Sequence, residues 1–180
     1  MPLIESISGI RGIYDNGLNE KAAVRYAYSY ISLLKDRLNK NKINKKIKQN
    51  NAKKLKIVIG TDTRPSKDIL KNAVLEVLDC DVIDVGIAST PMVEFAVRHF
   101  KADGGIIITA SHNEPYWNGF KFLDKDGAVL RPKDMGKVIK SYNKIKTLNN
   151  KFFFNKYLYK TNNKNQLTIK KIYKKYDEIN

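Results

Sequence analysis

Residues 102–113, Ala102-Asp103-Gly104-Gly105-Ile106-Ile107-Ile108-Thr109-Ala110-Ser111-His112-Asn113, lead two glycines into an unbroken apolar run and then into a hydroxyl, an imidazole and an amide. A short apolar run without polar alternation is the pattern of a strand buried on both faces, as in a parallel sheet. Such a strand needs helices on both sides, so its neighbours in sequence decide the fold. Upstream, Lys56-Ile57-Val58-Ile59-Gly60 is a second such run, ended by the polar loop Thr61-Asp62-Thr63-Arg64-Pro65-Ser66. Pro65 and Ser66 suit the start of a helix through about Leu78, with Ile69, Leu70, Ala73, Val74, Val77 and Leu78 on its inner side. Val82–Val85 reads as the next strand, closed by Gly86. Thr90-Pro91 then opens a helix whose apolar residues are Val93, Phe95, Ala96, Val97 and Phe100. Downstream, 119–123 and 128–130 read as a hairpin around the turn Asp124–Gly127, followed by a closing helix over 133–146. This alternation predicts an α/β fold, a three-layer α/β/α sandwich with a mostly parallel mixed sheet, the hairpin adding antiparallel strands at one side.

At the N-terminus, ISGIRGIY (7–14) reads as a short β segment bent at Gly9 and Gly12, with Arg11 between the bends. A helix begins at Asn19-Glu20, and its apolar residues from Ala22 to Leu38 recur at helical spacing. The formal net charge is +16, and its location matters more than its size. Segment 39–56 (NKNKINKKIKQNNAKKLK) holds eight Lys and no acid, and 143–180 holds ten Lys against Asp177 and Glu178; the rest of the chain is neutral. These two low-complexity pieces lack the Arg and the regular aromatic spacing of a nucleic-acid groove, so 39–56 reads as an exposed insertion and no specific nucleic-acid partner is expected. Weak, salt-sensitive attraction to polyanions is expected. With 42% hydrophobic and 29% charged residues the chain belongs to the soluble globular class. No run reaches the roughly 18 apolar residues that cross a bilayer, and no basic-then-apolar leader is present at the start, so no membrane partner and a cytoplasmic location are expected. Cys80, the single cysteine, has no partner for an internal disulfide and reads as a small, half-buried apolar residue.

Ligands of open α/β sheets bind beyond the carboxyl ends of the strands. The loops Thr61–Ser66, Ser89–Pro91 and Thr109–Asn118 occupy that position, and the Arg11 bend is expected to converge on them. Together they offer Arg11, Arg64 and Lys121 as cations, Ser111 as a hydroxyl, and His112 and Asn113 as hydrogen-bonding groups. That inventory suits an anionic, oxygen-rich ligand such as a phosphosugar. Neither G-x-G-x-x-G nor the P-loop pattern occurs, which argues against dinucleotide and P-loop nucleotide binding. Ser111 stands in T-A-S-H-N rather than G-x-S-x-G, and adjacent side chains in an extended loop point apart, which argues against a Ser-His hydrolase. On the residues alone, a plain turn formed by Ser111 and Asn113 is the favoured reading.

Five motifs change that reading. SISGIRG (6–12), GTDTRPS (60–66), DVGIASTP (84–91), ADGGIIITASHN (102–113) and WNGFK (117–121) resemble, in order, those of the α-D-phosphohexomutases, the phosphoglucomutase, phosphomannomutase and phosphoglucosamine mutase family. The resemblance covers about 3–142 outside 39–56 and implies an α/β/α first domain over 1–146, with 147–180 a linker and the start of a second domain whose first helix is Lys170–Ile179. It implies that Ser111 is carried as a phosphoserine. The phosphoryl group passes to a hexose monophosphate, a bisphosphate intermediate reorients, and phosphate moves between the sugar 1- and 6-positions. Mg2+, bound in part through the phosphate on Ser111, and a glucose 1,6-bisphosphate-type activator are implied, as are the remaining mutase domains as partners. Lys121 falls on the family lysine ten residues after the serine, as a proton-transfer group or as a stabilising cation. Arg11 falls on the active-site arginine of the first motif. His112, Asn113 and Asn118 fall in the motifs that shape the serine loop and its substrate side, and Arg64 braces that loop or forms a purely structural ion pair.

Two departures bear on function. Glu114 stands between Asn113 and Pro115, where the family usually has Pro directly after Asn, and it brings a negative charge close to the serine. The family's D-G-D-x-D-R metal loop, its sugar-specificity loop and its phosphate-binding fourth domain do not occur in these 180 residues. The chain alone is therefore expected to be inactive or nearly so. The competing expectation is a catalytically inactive remnant that persists as a binding module or a polyanion-binding basic protein.

Overall fold

The computed structural model describes residues 3–44 and 54–147. Along the chain these form β1 (Ile4–Ser6), β2 (Gly9–Tyr14), β3 (Gly17–Leu18), α1 (Glu20–Asn44), β4 (Lys56–Thr61), α2 (Lys67–Val77), β5 (Asp81–Ile87), α3 (Thr90–His99), β6 (Gly104–Ile108), β7 (Trp117–Leu123) and α4 (Pro132–Thr147). The strands make one mixed sheet in the order β1-β2-β7-β6-β4-β5, with β3 paired to β2. Strands β5, β4 and β6 run parallel, and β7, β2 and β1 continue the sheet in antiparallel pairings.

The strand character of β6 follows from its sequence: all five residues are buried, as an unalternated apolar run requires of a strand covered on both faces. Its side chains divide between the two helix layers. Ile106 and Ile108, with Ile57 and Ile59 of β4 and Phe120 and Phe122 of β7, pack under α1, α2 and α4. Ile107, with Val58 and Leu123, packs under Val93, Ala96 and Val97 of α3. The larger layer is tied by Tyr26 of α1 stacked on Tyr142 of α4 at 3.8 Å, and by the Tyr30 hydroxyl, which donates to the Leu123 carbonyl at 2.5 Å. The three-layer α/β/α sandwich with a mixed sheet is thus as the sequence predicts.

Several details differ from the sequence reading. Strand β7 is not an edge hairpin strand: it lies between β2 and β6, and 128–130 contributes a single bridge, Leu123 to Val129, after the turn closed by Gly127 donating to Asp124. Helix α1 runs to Asn44, six residues into the expected insertion, and Leu55 at its far end is buried. Lysine is a good helix former, so a Lys-rich composition does not by itself end a helix. Ile69, read as inward-facing, is 45% exposed, and Phe95, one of the apolar residues of α3, is 59% exposed. Gly9 bends the chain with φ of 131°, whereas Gly12 lies in the body of β2 without a bend; its missing side chain admits Leu3 and Leu18. The predicted linker and second-domain start beyond 147 lie outside the described residues.

Candidate functional site

The site is built where β4 and β6 end. The Asp62 amide bonds the Ile108 carbonyl, which holds the loop after β4 against the last residue of β6. The Asp62 side chain then turns back on its own loop: Oδ1 accepts from the Arg64 amide at 3.0 Å and Oδ2 from Arg64 Nε at 2.9 Å. This two-residue Asx turn aims the guanidinium across at the loop that follows β6.

There Arg64 Nη2 donates to the carbonyls of Ser111 (2.9 Å) and Asn113 (2.7 Å), and Nη1 to those of Glu114 (2.5 Å) and Trp117 (3.1 Å). Only 9% of the Arg64 side chain is exposed, so a desolvated cation is neutralised by one carboxylate and satisfied by four main-chain oxygens. Ser111 itself adopts a left-handed backbone, φ 59°, and its amide donates to the Thr109 hydroxyl at 2.9 Å. The loop is closed by the Asn113 amide donating to Ala110 and the Trp117 amide donating to Glu114.

The predicted residues divide into three groups. Ser111 and His112 are exposed at the loop. Asn113 gives its carbonyl to Arg64, and its side-chain oxygen is buried without a hydrogen-bond partner. Asn118 is fully buried; it donates to the Ser66 hydroxyl at the start of α2 and accepts from the Gly119 amide, joining β7 to the Arg64 loop from the helix side. Arg11 and Lys121 lie on the sheet itself. Arg11 pairs with Gly119 across β2 and β7, so Lys121 is its diagonal neighbour on the same face, about 7–8 Å away along the backbone. Gly119 is what permits this approach, because a side chain there would overlap the Ile10 carbonyl of β2.

Lys121 is the register partner of Ile107, which packs under α3. Arg11 and Lys121 therefore share the α3 side of the sheet, on strands beyond the two, β4 and β6, against which α3 packs. The result is an open shelf carrying two cations, with the exposed Ile4 of β1 paired to Arg11 of β2. A cleft of about 380 Å³ lined by Glu5, Asn19, Lys21, Arg25, Tyr142 and Lys146 lies elsewhere, at the start of α1, and contains none of the predicted site residues.

Residue-by-residue reasoning missed Asp62, Ser66 and Thr109. Asp62 carries a readable signal, since Asp two residues before a loop residue is the usual side-chain acceptor of an Asx turn. Thr109 carries a weaker one of the same kind. Among the described residues no group of three or more His, Cys, Asp or Glu side chains is placed to hold a metal ion, so these residues do not by themselves fit Mg2+. No helix of the described residues is long and apolar enough to cross a membrane.

Comparison with known proteins agrees with this geometry. The family model described as phosphoglucomutase/phosphomannomutase, alpha/beta/alpha domain I, matches residues 4–149. A phosphoglucomutase/phosphomannomutase of Thermococcus kodakarensis is 39% identical over 126 residues, 68% of this chain and 25% of the relative. A phosphoglucosamine mutase of Alkaliphilus oremlandii is 35% identical over 137 residues, 74% of this chain and 27% of the relative. The chain thus spans about a quarter of the length of these curated relatives. A crystal structure from Thermus thermophilus, assigned as a phosphomannomutase, superposes with a TM-score of 0.64 at 26% identity, covering 79% of this chain and 30% of that one.

Proposed function

Because the chain belongs to the phosphoglucomutase/phosphomannomutase family through its α/β/α domain I, we propose that it is the phosphoserine-bearing part of a hexose-phosphate mutase, with Ser111 as the phosphoryl carrier. The observation that carries this reading is the loop itself. An exposed serine hydroxyl stands in a strained left-handed position, on a backbone bound by Arg64, at the carboxyl end of a central strand. A turn serine needs no such brace.

In the proposed half-reaction the bond from phosphorus to Ser111 Oγ breaks as a bond forms from phosphorus to a sugar hydroxyl oxygen, and the proton of that hydroxyl is taken up, in net terms, by the departing Ser111 Oγ. Ser111 is left as a neutral hydroxyl; in the reverse transfer its oxygen attacks the phosphorus at the other position of the sugar bisphosphate, its proton passes to the departing sugar oxygen, and the phosphoserine is restored. Charge spread over the phosphoryl oxygens has to be balanced, and Arg11 and Lys121 on the shelf are the proposed cations. Lys121 is also the proposed group nearest the attacking hydroxyl. His112 and Asn113 are proposed to shape the approach to the serine, and Asn118 to fix β7 beneath it. Mg2+, held in part through the phosphate on Ser111, would supply neutralisation of phosphate oxygens when bound; among the described residues no group of three or more His, Cys, Asp or Glu completes its ligand set. A glucose 1,6-bisphosphate-type activator is the proposed source of the first phosphoryl group. A hexose phosphate substrate, the remaining mutase domains as partners and a cytoplasmic location complete the proposal.

The test is phosphopeptide mapping of the 180-residue chain after incubation with labelled glucose 1,6-bisphosphate and Mg2+. Label on Ser111, absent from Ser111→Ala, is expected. An unlabelled chain with an intact fold favours the second reading, a binding module in which the +16 charge attracts polyanions.

A further inference from the structure

We propose that Arg64 is the positioning residue for phosphoryl acceptance at Ser111, acting through the backbone of the 111–117 loop and not on the substrate; the proposal rests on the reading of Ser111 as the carrier. An arginine beside a phosphate-handling serine invites the opposite view, that its guanidinium grips a phosphate. Donor bookkeeping excludes it. A guanidinium has five N–H donors. Here Nε is taken by Asp62, both Nη1 positions by Glu114 and Trp117, and both Nη2 positions by Ser111 and Asn113. Every donor is spent inside the protein, the side chain is 9% exposed, and nothing is left to present to an anion.

What those bonds do is fix one conformation. Ser111 with φ 59° is in a backbone region that disfavours any side chain, so the loop left alone relaxes to another turn. Arg64 binds the carbonyl of Ser111 itself and three carbonyls after it, and the Thr109 hydroxyl binds the Ser111 amide. The serine is therefore clamped on both of its peptide groups. Because all four acceptors on the loop are main-chain oxygens, the clamp is indifferent to the side chains it spans. Glu114, the residue that departs from the family pattern, is held by its carbonyl like the others. A planar fork is required, since lysine keeps the charge but has three donors on a single nitrogen.

The experiment compares wild type, Arg64→Lys and Asp62→Asn of the full 180-residue chain, with labelled glucose 1,6-bisphosphate and Mg2+ as the probe and amide hydrogen exchange as the second readout. Expected for Arg64→Lys is a fall of about a hundredfold in the maximal labelling rate of Ser111, an unchanged half-saturating bisphosphate concentration, and faster exchange at Asn113 and Trp117 with β4 and β6 still protected. Asp62→Asn, which keeps the guanidinium but removes its charged anchor, should move the same quantities in the same direction. An unchanged labelling rate overturns the proposal. So does a raised half-saturating concentration with the maximal rate retained, which would mean that Arg64 touches the donor. Loss of protection throughout the sheet in both variants overturns it too, leaving Arg64 as a support of the fold. If wild type takes no label, the carrier reading fails by itself, and exchange decides the clamp: faster exchange confined to the loop in Arg64→Lys upholds it, and unchanged exchange overturns it.

Discussion

Ser111 carries two burdens that substitution can separate. Its left-handed backbone costs roughly 1–2 kcal/mol for any residue with a β-carbon and almost nothing for glycine. Its hydroxyl, exposed at the loop, contributes no buried contact to offset that cost. Ser111→Ala keeps the strain and removes the hydroxyl; Ser111→Gly removes both. Both variants should be unlabelled by the bisphosphate, and the glycine form should be the more stable by about 1 kcal/mol, read from urea unfolding of the two proteins side by side. Equal stabilities would mean that the loop adopts another conformation in solution. The position of Ser111 was legible in the sequence, because an apolar strand runs straight into it. Its backbone strain was not, since nothing about a serine announces a positive φ. Arg64 was visible as a cation near the site, but its four acceptors are carbonyls 47 to 53 residues away, and main-chain oxygens leave no mark in a sequence.

The elements divide along the same line. Those with local signals, the Pro91 start of α3 and the apolar runs of β4 and β6, stand where the pattern puts them. Strand β7 reads locally as half of a hairpin, and only its pairing on both sides with β2 and β6 makes it central, a fact of long-range register that no window of sequence contains. Helix α4 has a second such long-range tie. Asp134 in its first turn accepts from Arg37 of α1 at 2.7 Å and from Lys137 at 2.8 Å, and its side chain is 17% exposed. The Lys137 hydrogen bond, with Arg37 beside it, holds the carboxyl below its ordinary value of 3.8. A carboxyl lowered on folding contributes stability that is fully present above its unfolded value and is lost as pH falls through the folded one. Asp134→Asn should therefore cost about 1 kcal/mol at pH 7, and the difference from wild type should shrink as pH falls below 3.8 and through the lowered folded value. Unfolding midpoints of both proteins across about pH 2 to 7 measure this; a gap that stays constant with pH would assign the loss to packing instead of charge.

Across the whole molecule, the two helix layers differ in size, and one thiol reports on the larger. Cys80, 6% exposed, belongs to the cluster that joins the sheet to α1, α2 and α4, so it can be reached only when that cluster opens. Burial pushes its thiol from the ordinary 9.0 up to about 12, outweighing the nearby Lys35 and Lys54, which pull it the other way. The thiolate is the reactive form, so at pH 8 the native protein offers a thiolate fraction of roughly one in ten thousand, against about one in ten for the unfolded chain. Reaction with iodoacetamide should then be negligible in buffer and should rise with urea along the same curve as the loss of helical circular dichroism, since both follow one cooperative opening. A thiol that reacts well before the circular dichroism changes would mean that α2 and β5 open as a separate unit. That outcome would also locate the weak boundary of the domain on the β5 edge of the sheet, away from the Ser111 loop, which draws its order from β4, β6 and β7.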